Sequence, residues 1–248
     1  MKWFLTIIIP IIMQAQSGLE IAEMLDQKPA PKDLSNKTRM ILTNSKGKSR
    51  TNDMISKSIN KNMKQMIWFL EPRDDRGVAF LKIENNNKED EMHMWLPAFK
   101  RVRRISAKKK GDSFMGSDLS YEDLSNRNLD DNTYKHLRDN SFDGIDCHVL
   151  EITPKKNARS SYGKHISWIE KGTFNILKEY SYNKKGQLEK EKSFEYDFIK
   201  TYYVLKRVFV KNIIKNHTTE IFFTDIVVDS GLESSLFHEK NLKRIPRD

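Results

Sequence analysis

The sequence predicts a mainly β chain, one antiparallel sheet of about ten strands with a few helices. Two observations carry this. Short apolar stretches alternate with turn signals from Thr38 to Val228, and no run of alternating helices separates them. Several stretches, such as MIWFL and EIFFTDIVV, are apolar on both faces. Such strands must pack a second layer, and a strongly curved sheet wrapped around a helix meets that need.

The elements follow in order. Residues 18–27, GLEIAEMLDQ, place Leu19, Ile21 or Ala22, and Leu25 at helical spacing, and Pro29 and Pro31 stop the helix. Thr38–Asn44 and Ser49–Ile59 read as a hairpin around SKGK. Met63–Glu71 puts Met66, Trp68 and Leu70 on one face, with Ile67 and Phe69 on the other. Gly77–Ile83 and Met92–Pro97 are the next strands, and Arg101–Arg103 continues as a short one. In the second half CHVLEI, GKHISWIE, FNILKEYSY, SFEYDFI, TYYVLKRVFV and TTEIFFTDIVV read as strands, with NKKG as a turn. Asp130–Arg138 and the tail SSLFHEKNLKR read as short helical pieces. No repeat or linker divides the chain.

The chain has 248 residues, 38% hydrophobic, with a net charge of +10. That suits one large domain and an acidic or anionic partner. Residues 1–17 have the layout of a secretory signal peptide. A lysine precedes an apolar run of about 11 residues, which is too short for a span of about 20. Ala15 and Ser17 are the small residues at the cleavage region. The expected mature domain is therefore 18–248, exported, and nucleic acid is demoted as a partner. The one cysteine, Cys147, has no internal partner and reads as a small buried hydrophobe.

Catalytic and metal patterns are weak. Gly111–Phe114 (GDSF) lacks the α/β setting of a serine hydrolase, and Ser235 stands three residues before His238, where an Asp would be needed. No Gly-x-Ser-x-Gly elbow occurs. The six histidines lack ligand spacing. No catalytic residue, metal or cofactor is expected.

The stretch MWLPAFKRVRRISAKKKGDSFMGSDLSYEDL carries the candidate site. Arg101, Arg103 and Arg104 precede a loop that holds Asp118, Glu122 and Asp123. Arg–carboxylate forks between them would anchor the loop, or the arginines would meet a lipid headgroup or an acidic partner. Trp68, Trp95, Phe99, Phe114, Met115 and Tyr121 are the candidate cavity or mouth residues for acyl chains.

The same stretch resembles the LolA-like family of outer membrane lipoprotein-sorting proteins. Trp95-Leu96-Pro97, Arg101–Arg104, Ser113–Asp118 and Tyr121–Leu124 carry the resemblance. It implies a half-open antiparallel β-barrel whose concave apolar face is covered by helices. It further implies a periplasmic, non-enzymatic carrier of a lipid or acylated lipoprotein toward the outer membrane. An inner-membrane exporter of the resistance-nodulation-division type is an implied partner, and peripheral membrane contact is compatible with the positive charge. The rival readings are a lipid ester hydrolase using Ser113 or Ser117, and an exporter subunit that carries no cargo.

Overall fold

A computed structural model describes residues 16–85 and 88–246. The signal-peptide reading falls on residues 1–17, almost wholly outside that range. The described chain forms one antiparallel sheet of 13 strands and a single α-helix. The strands are β1 (Asp33–Thr43), β2 (Ser49–Ile59), β3 (Lys64–Glu71), β4 (Ala79–Ile83), β5 (Glu91–Leu96), β6 (Arg101–Arg104), β7 (Asn132–Phe142), β8 (Ile145–Pro154), β9 (Tyr162–Glu170), β10 (Ile176–Asn183), β11 (Leu188–Ile199), β12 (Tyr202–Asn212) and β13 (His217–Val228). Their order is β6-β5-β4-β3-β2-β1-β13-β12-β11-β10-β9-β8-β7. Each strand pairs with its sequence neighbour except where β1 meets β13. That pairing joins two meanders, and β6 and β7 are left as free edges. The sheet is thus half-open.

Helix α1 (Gly18–Asp26) starts on a capping box, with Ser17 and Glu20 reciprocally bonded. Ile21 and Ala22 are its buried face, packed on Leu150, Ile152 and Ile169. Leu19, expected on that face, is exposed. Gly18 is required by close approach, because a Cβ there would lie 2.7 Å from the backbone nitrogen of His136.

The register shows what each face carries. We call inner the face that bears α1. One inner row runs Leu42, Thr219, Val210, Lys192, Glu179, Ser167, Leu150, His136 from β1 to β7. The inner face is therefore largely apolar on β1–β5, β12 and β13, with Lys82 buried on β4, polar on β9, charged on β10 and β11, and apolar again under α1. An outer row runs Ile55, Trp68, Ala79, Trp95, Val102. The C-terminal segment, through Leu232, Phe237 and Leu242, packs on it.

Two expectations are corrected. Asp130–Arg138, read as a short helical piece, lies mostly in β7, because the ladder to β8 satisfies its backbone. The tail forms two 3-10 turns, Ser234–Leu236 and Glu239–Asn241, rather than a helix. The apolar inner face on β1–β5 is covered by the chain from Ile105 to Leu124, which includes the short 3-10 turns Ala107–Lys109 and Glu122–Leu124, while α1 covers the far end of the same face.

Candidate functional site: a hairpin laid over the inner face

Residues 113–120 form a tight hairpin. Ser113 and Ser120 form an antiparallel bridge, Phe114 N–H donates to Leu119 O at 2.8 Å, and Ser117 N–H donates to Phe114 O at 2.9 Å. The two central residues, Met115 (φ 51°) and Gly116 (φ 79°), both have positive φ. That pair of angles marks a type I′ turn, and glycine takes it without strain.

The hairpin inserts side chains into the inner face. Phe114, Leu119 and Tyr121 are buried with Met40, Met54, Phe69, Phe80, Val210 and Ile221 beneath them. Phe114 sits 5.3 Å from Phe80 and 5.8 Å from Tyr121, centroid to centroid, both edge-on. Such pairs add about 0.5–1.5 kcal/mol beyond their burial.

Polar groups then pin the loop. Asp118 N–H donates to Thr219 Oγ1 at 2.8 Å, and Thr219 donates back to Asp118 Oδ2 at 2.9 Å. Burial pushes the Asp118 carboxyl up, although the Thr219 bond opposes it. Lys82, fully buried, donates to Glu84 at 2.6 Å and to Leu124 O at 2.7 Å. Glu122 accepts from the hydroxyls of Ser160 and Ser161.

Asp123 is the deepest anchor, with its side chain 3% exposed. Oδ2 accepts from Lys190 Nζ (2.8 Å) and from the Tyr162 hydroxyl (2.8 Å), and Oδ1 accepts from Lys192 Nζ (2.5 Å). Burial alone would raise its carboxyl; Lys192 and Lys190 outweigh that and hold it far below the usual carboxylate range. Lys192 also meets Glu179 at 3.2 Å. Arg127 forks onto Glu179 at 2.6 and 2.7 Å, and Ser167 donates to it at 2.9 Å. Burial would raise Glu179, but Arg127 and then Lys192 hold it well down. His165, bonded to Ser181 at 2.9 Å, is lowered to about 4 by burial and then by Arg127, so it is neutral at pH 7. The cluster thus sets three cations, Lys190, Lys192 and Arg127, against two carboxylates, Asp123 and Glu179.

The expected site residues divide. Phe114, Met115 and Tyr121 lie on the inner face in the hairpin. Trp68 and Trp95 belong to the outer cluster under the C-terminal segment and cannot line the same space. Phe99 is 67% exposed, with the Arg101 guanidinium 5.5 Å above its ring. The arginine anchor is corrected as well. Arg101, Arg103 and Arg104 are exposed on the edge strand β6 and form no ion pair with Asp118, Glu122 or Asp123. The loop turns away from β6, so its carboxylates end at β13, at Ser160–Ser161 and at β11.

Sequence reasoning missed Lys190, Lys192, Glu179, Arg127, His165 and Tyr162. The alternation in LEKEKSF was the available signal, but it reads equally as a solvated strand. It also missed His136, Asp139 and His148, which the β7–β8 ladder brings together with ligand atoms within 4.8 Å. There Asp139 already bonds both histidines at 2.9 Å and Lys171 at 2.8 Å. The serines considered for hydrolysis donate to backbone carbonyls, Ser113 to Ser117 O and Ser117 to Leu119 O, and neither is bonded to a histidine. Cys147 is fully buried, and burial pushes its thiol up.

A family model described as "Uncharacterized protein" matches residues 61–244. No curated protein matches the chain. Among solved structures, a domain from Vibrio parahaemolyticus, provisionally named an outer membrane lipoprotein-sorting protein, is 35% identical at a TM-score of 0.85, over 92% of this chain and 98% of that one. A DUF1329 family protein from Desulfovibrio piger is 30% identical at a TM-score of 0.85, over 91% and 97%. A LolA superfamily protein from Nitrosomonas europaea is 19% identical at a TM-score of 0.72, over 91% and 99%, a likeness of fold.

Proposed function

The chain belongs to the LolA-like family of outer membrane lipoprotein-sorting proteins, and from that premise we propose that it is a periplasmic, non-enzymatic carrier. Its cargo is a lipid or a lipid-modified protein moving toward the outer membrane. Export by a cleaved segment at residues 1–17, leaving a single domain from residue 18, belongs to the same proposal.

One observation supports it most. The broad, largely apolar inner face of β1–β5, β12 and β13 is covered by a loop hairpin with a short 3-10 turn rather than by a strand of the sheet or by α1. A hairpin held by side-chain contacts can leave without breaking the sheet ladder. The floor it leaves behind suits acyl chains, whose burial is worth about 0.8 kcal/mol per CH₂.

A second reading draws on the same region. The inner face is closed by Phe114, Leu119 and Tyr121, as an exporter accessory subunit without cargo would have it. The exposed edge strand Arg101–Arg104 with Phe99 is the surface we assign to a membrane or exporter contact.

Transfer of a fluorescent phospholipid between two vesicle populations separates the readings. Acceleration that scales with protein concentration supports the carrier. Transfer at the protein-free rate, with no lipid bound, rejects it in favour of the accessory subunit.

A further inference from the structure

The hairpin has the chemical layout of the molecule the site would hold. Its apolar groups, Phe114, Leu119 and Tyr121, meet the floor, Asp118 and Glu122 are held aside by Thr219 and by Ser160 and Ser161, and Asp123 is the carboxylate that reaches the lysines. The inner face has the matching layout. Its apolar floor runs to Val210, and the register places Lys192 directly opposite Val210 on the next strand. Lys190 lies two residues away on the same face, opposite Asn212. Two buried ammonium groups therefore stand where the apolar floor ends. Among the described residues Asp123 is the carboxylate paired with Lys190, while Glu179 is forked by Arg127 and shared with Lys192. If the hairpin lifts, the cluster loses one of two negative charges against three positive ones, and an incoming anion restores the balance. The chain from Ser106 to Asp112 is largely exposed, and the Lys110–Asp90 ion pair at 2.7 Å that ties it down is partly exposed to solvent, so this flank has little buried contact to lose in such a movement.

We propose that residues 113–124 are a displaceable stand-in for an anionic amphiphile. Its carboxylate or phosphate takes the place of Asp123 on Lys190 and Lys192, and its acyl chain takes the place of Phe114, Leu119 and Tyr121 on the floor of Met40, Phe69, Phe80 and Val210. This rests on the carrier reading and adds the headgroup class and the location of the site. Tyr162, which donates to Asp123 and accepts from Lys190 at 2.6 Å, is placed to donate to the headgroup as well.

The test is hydrogen exchange on the full mature chain. The probes are lysophosphatidylglycerol, lysophosphatidylcholine of the same acyl chain, and glycerol phosphate as the headgroup alone. The expected result is amide exchange in 113–124 about tenfold faster with the anionic lipid than with the zwitterionic one, and unchanged with glycerol phosphate. Asp123→Asn, which removes the competing charge, is expected to bind the anionic lipid about tenfold more tightly. A fold-damaged Asp123→Asn leaves the unmodified chain to decide. Binding of the anionic lipid with 113–124 still protected overturns the proposal and leaves the carrier reading standing. Equal opening by both lipids overturns the headgroup assignment. Opening by glycerol phosphate alone makes this a site for a free anion and overturns the amphiphile. Binding of neither lipid rejects the carrier reading with it.

Discussion

Lys192 holds its ammonium 2.5 Å from Asp123 and 3.2 Å from Glu179, with 4% of the side chain exposed. Burial would lower its pKa, yet the two carboxylates raise it, so it stays charged. Removing one member of such a pair leaves the other buried and uncompensated. Lys192→Met is therefore expected to cost about 3–5 kcal/mol, read from the urea midpoint. His165 acts in the opposite sense. It is lowered from 6.5 to about 4, so the unfolded chain takes up a proton before the folded one does. Its contribution is complete above pH 6.5 and is lost as pH falls through about 4. Acid titration of stability is expected to lose about 3 kcal/mol across that window, and His165→Asn to flatten the slope there. None of this was legible in LEKEKSF or GKHISWIE. A lysine on an alternating strand is normally solvated, and only the β9–β11 register and the returning loop bury these residues.

At the scale of elements, the hairpin depends on positive φ at Met115 and Gly116. Gly116→Val is expected to cost about 1–2 kcal/mol and to speed exchange of the Phe114 and Ser117 amides, seen by hydrogen exchange. The alternation in Met63–Glu71 was legible and sorted correctly: Met66 and Trp68 went to the outer cluster, Ile67 and Phe69 to the inner one. What covers each face was not legible. Trp68 and Phe114 are both large buried aromatics, and nothing local says that one meets the C-terminal segment and the other the hairpin. The start of β7 was misjudged as a short helical piece. In the ladder it is a strand with a bulge, marked by a register shift between His136 and Arg138.

Across the whole molecule the sheet stays open at β6 and β7, and both edges carry charge. Lys135 and Arg138 lie on β7, and three arginines on β6. Charged edges discourage strand addition. With a net charge of +10, the protein is expected to sediment with anionic vesicles and to release them as salt rises. Replacing Arg101, Arg103 and Arg104 with Gln is expected to weaken that binding severalfold without changing stability by more than about 0.5 kcal/mol. The half-open β class was legible because it rests on strand periodicity and turns. The closed state of the inner face was not, because it depends on contacts between Asp123 and residues 67 and 69 positions further along the chain.

The central claim is that this inner face takes up an acyl chain when the hairpin yields. Organic extraction and mass spectrometry test it most directly, on mature protein purified without detergent from its native envelope and on the same protein after incubation with envelope lipid. The account expects about one amphiphile per chain, with an anionic head, in at least the incubated sample. Protein free of lipid in both samples would contradict it and favour an accessory subunit with a permanently packed interior.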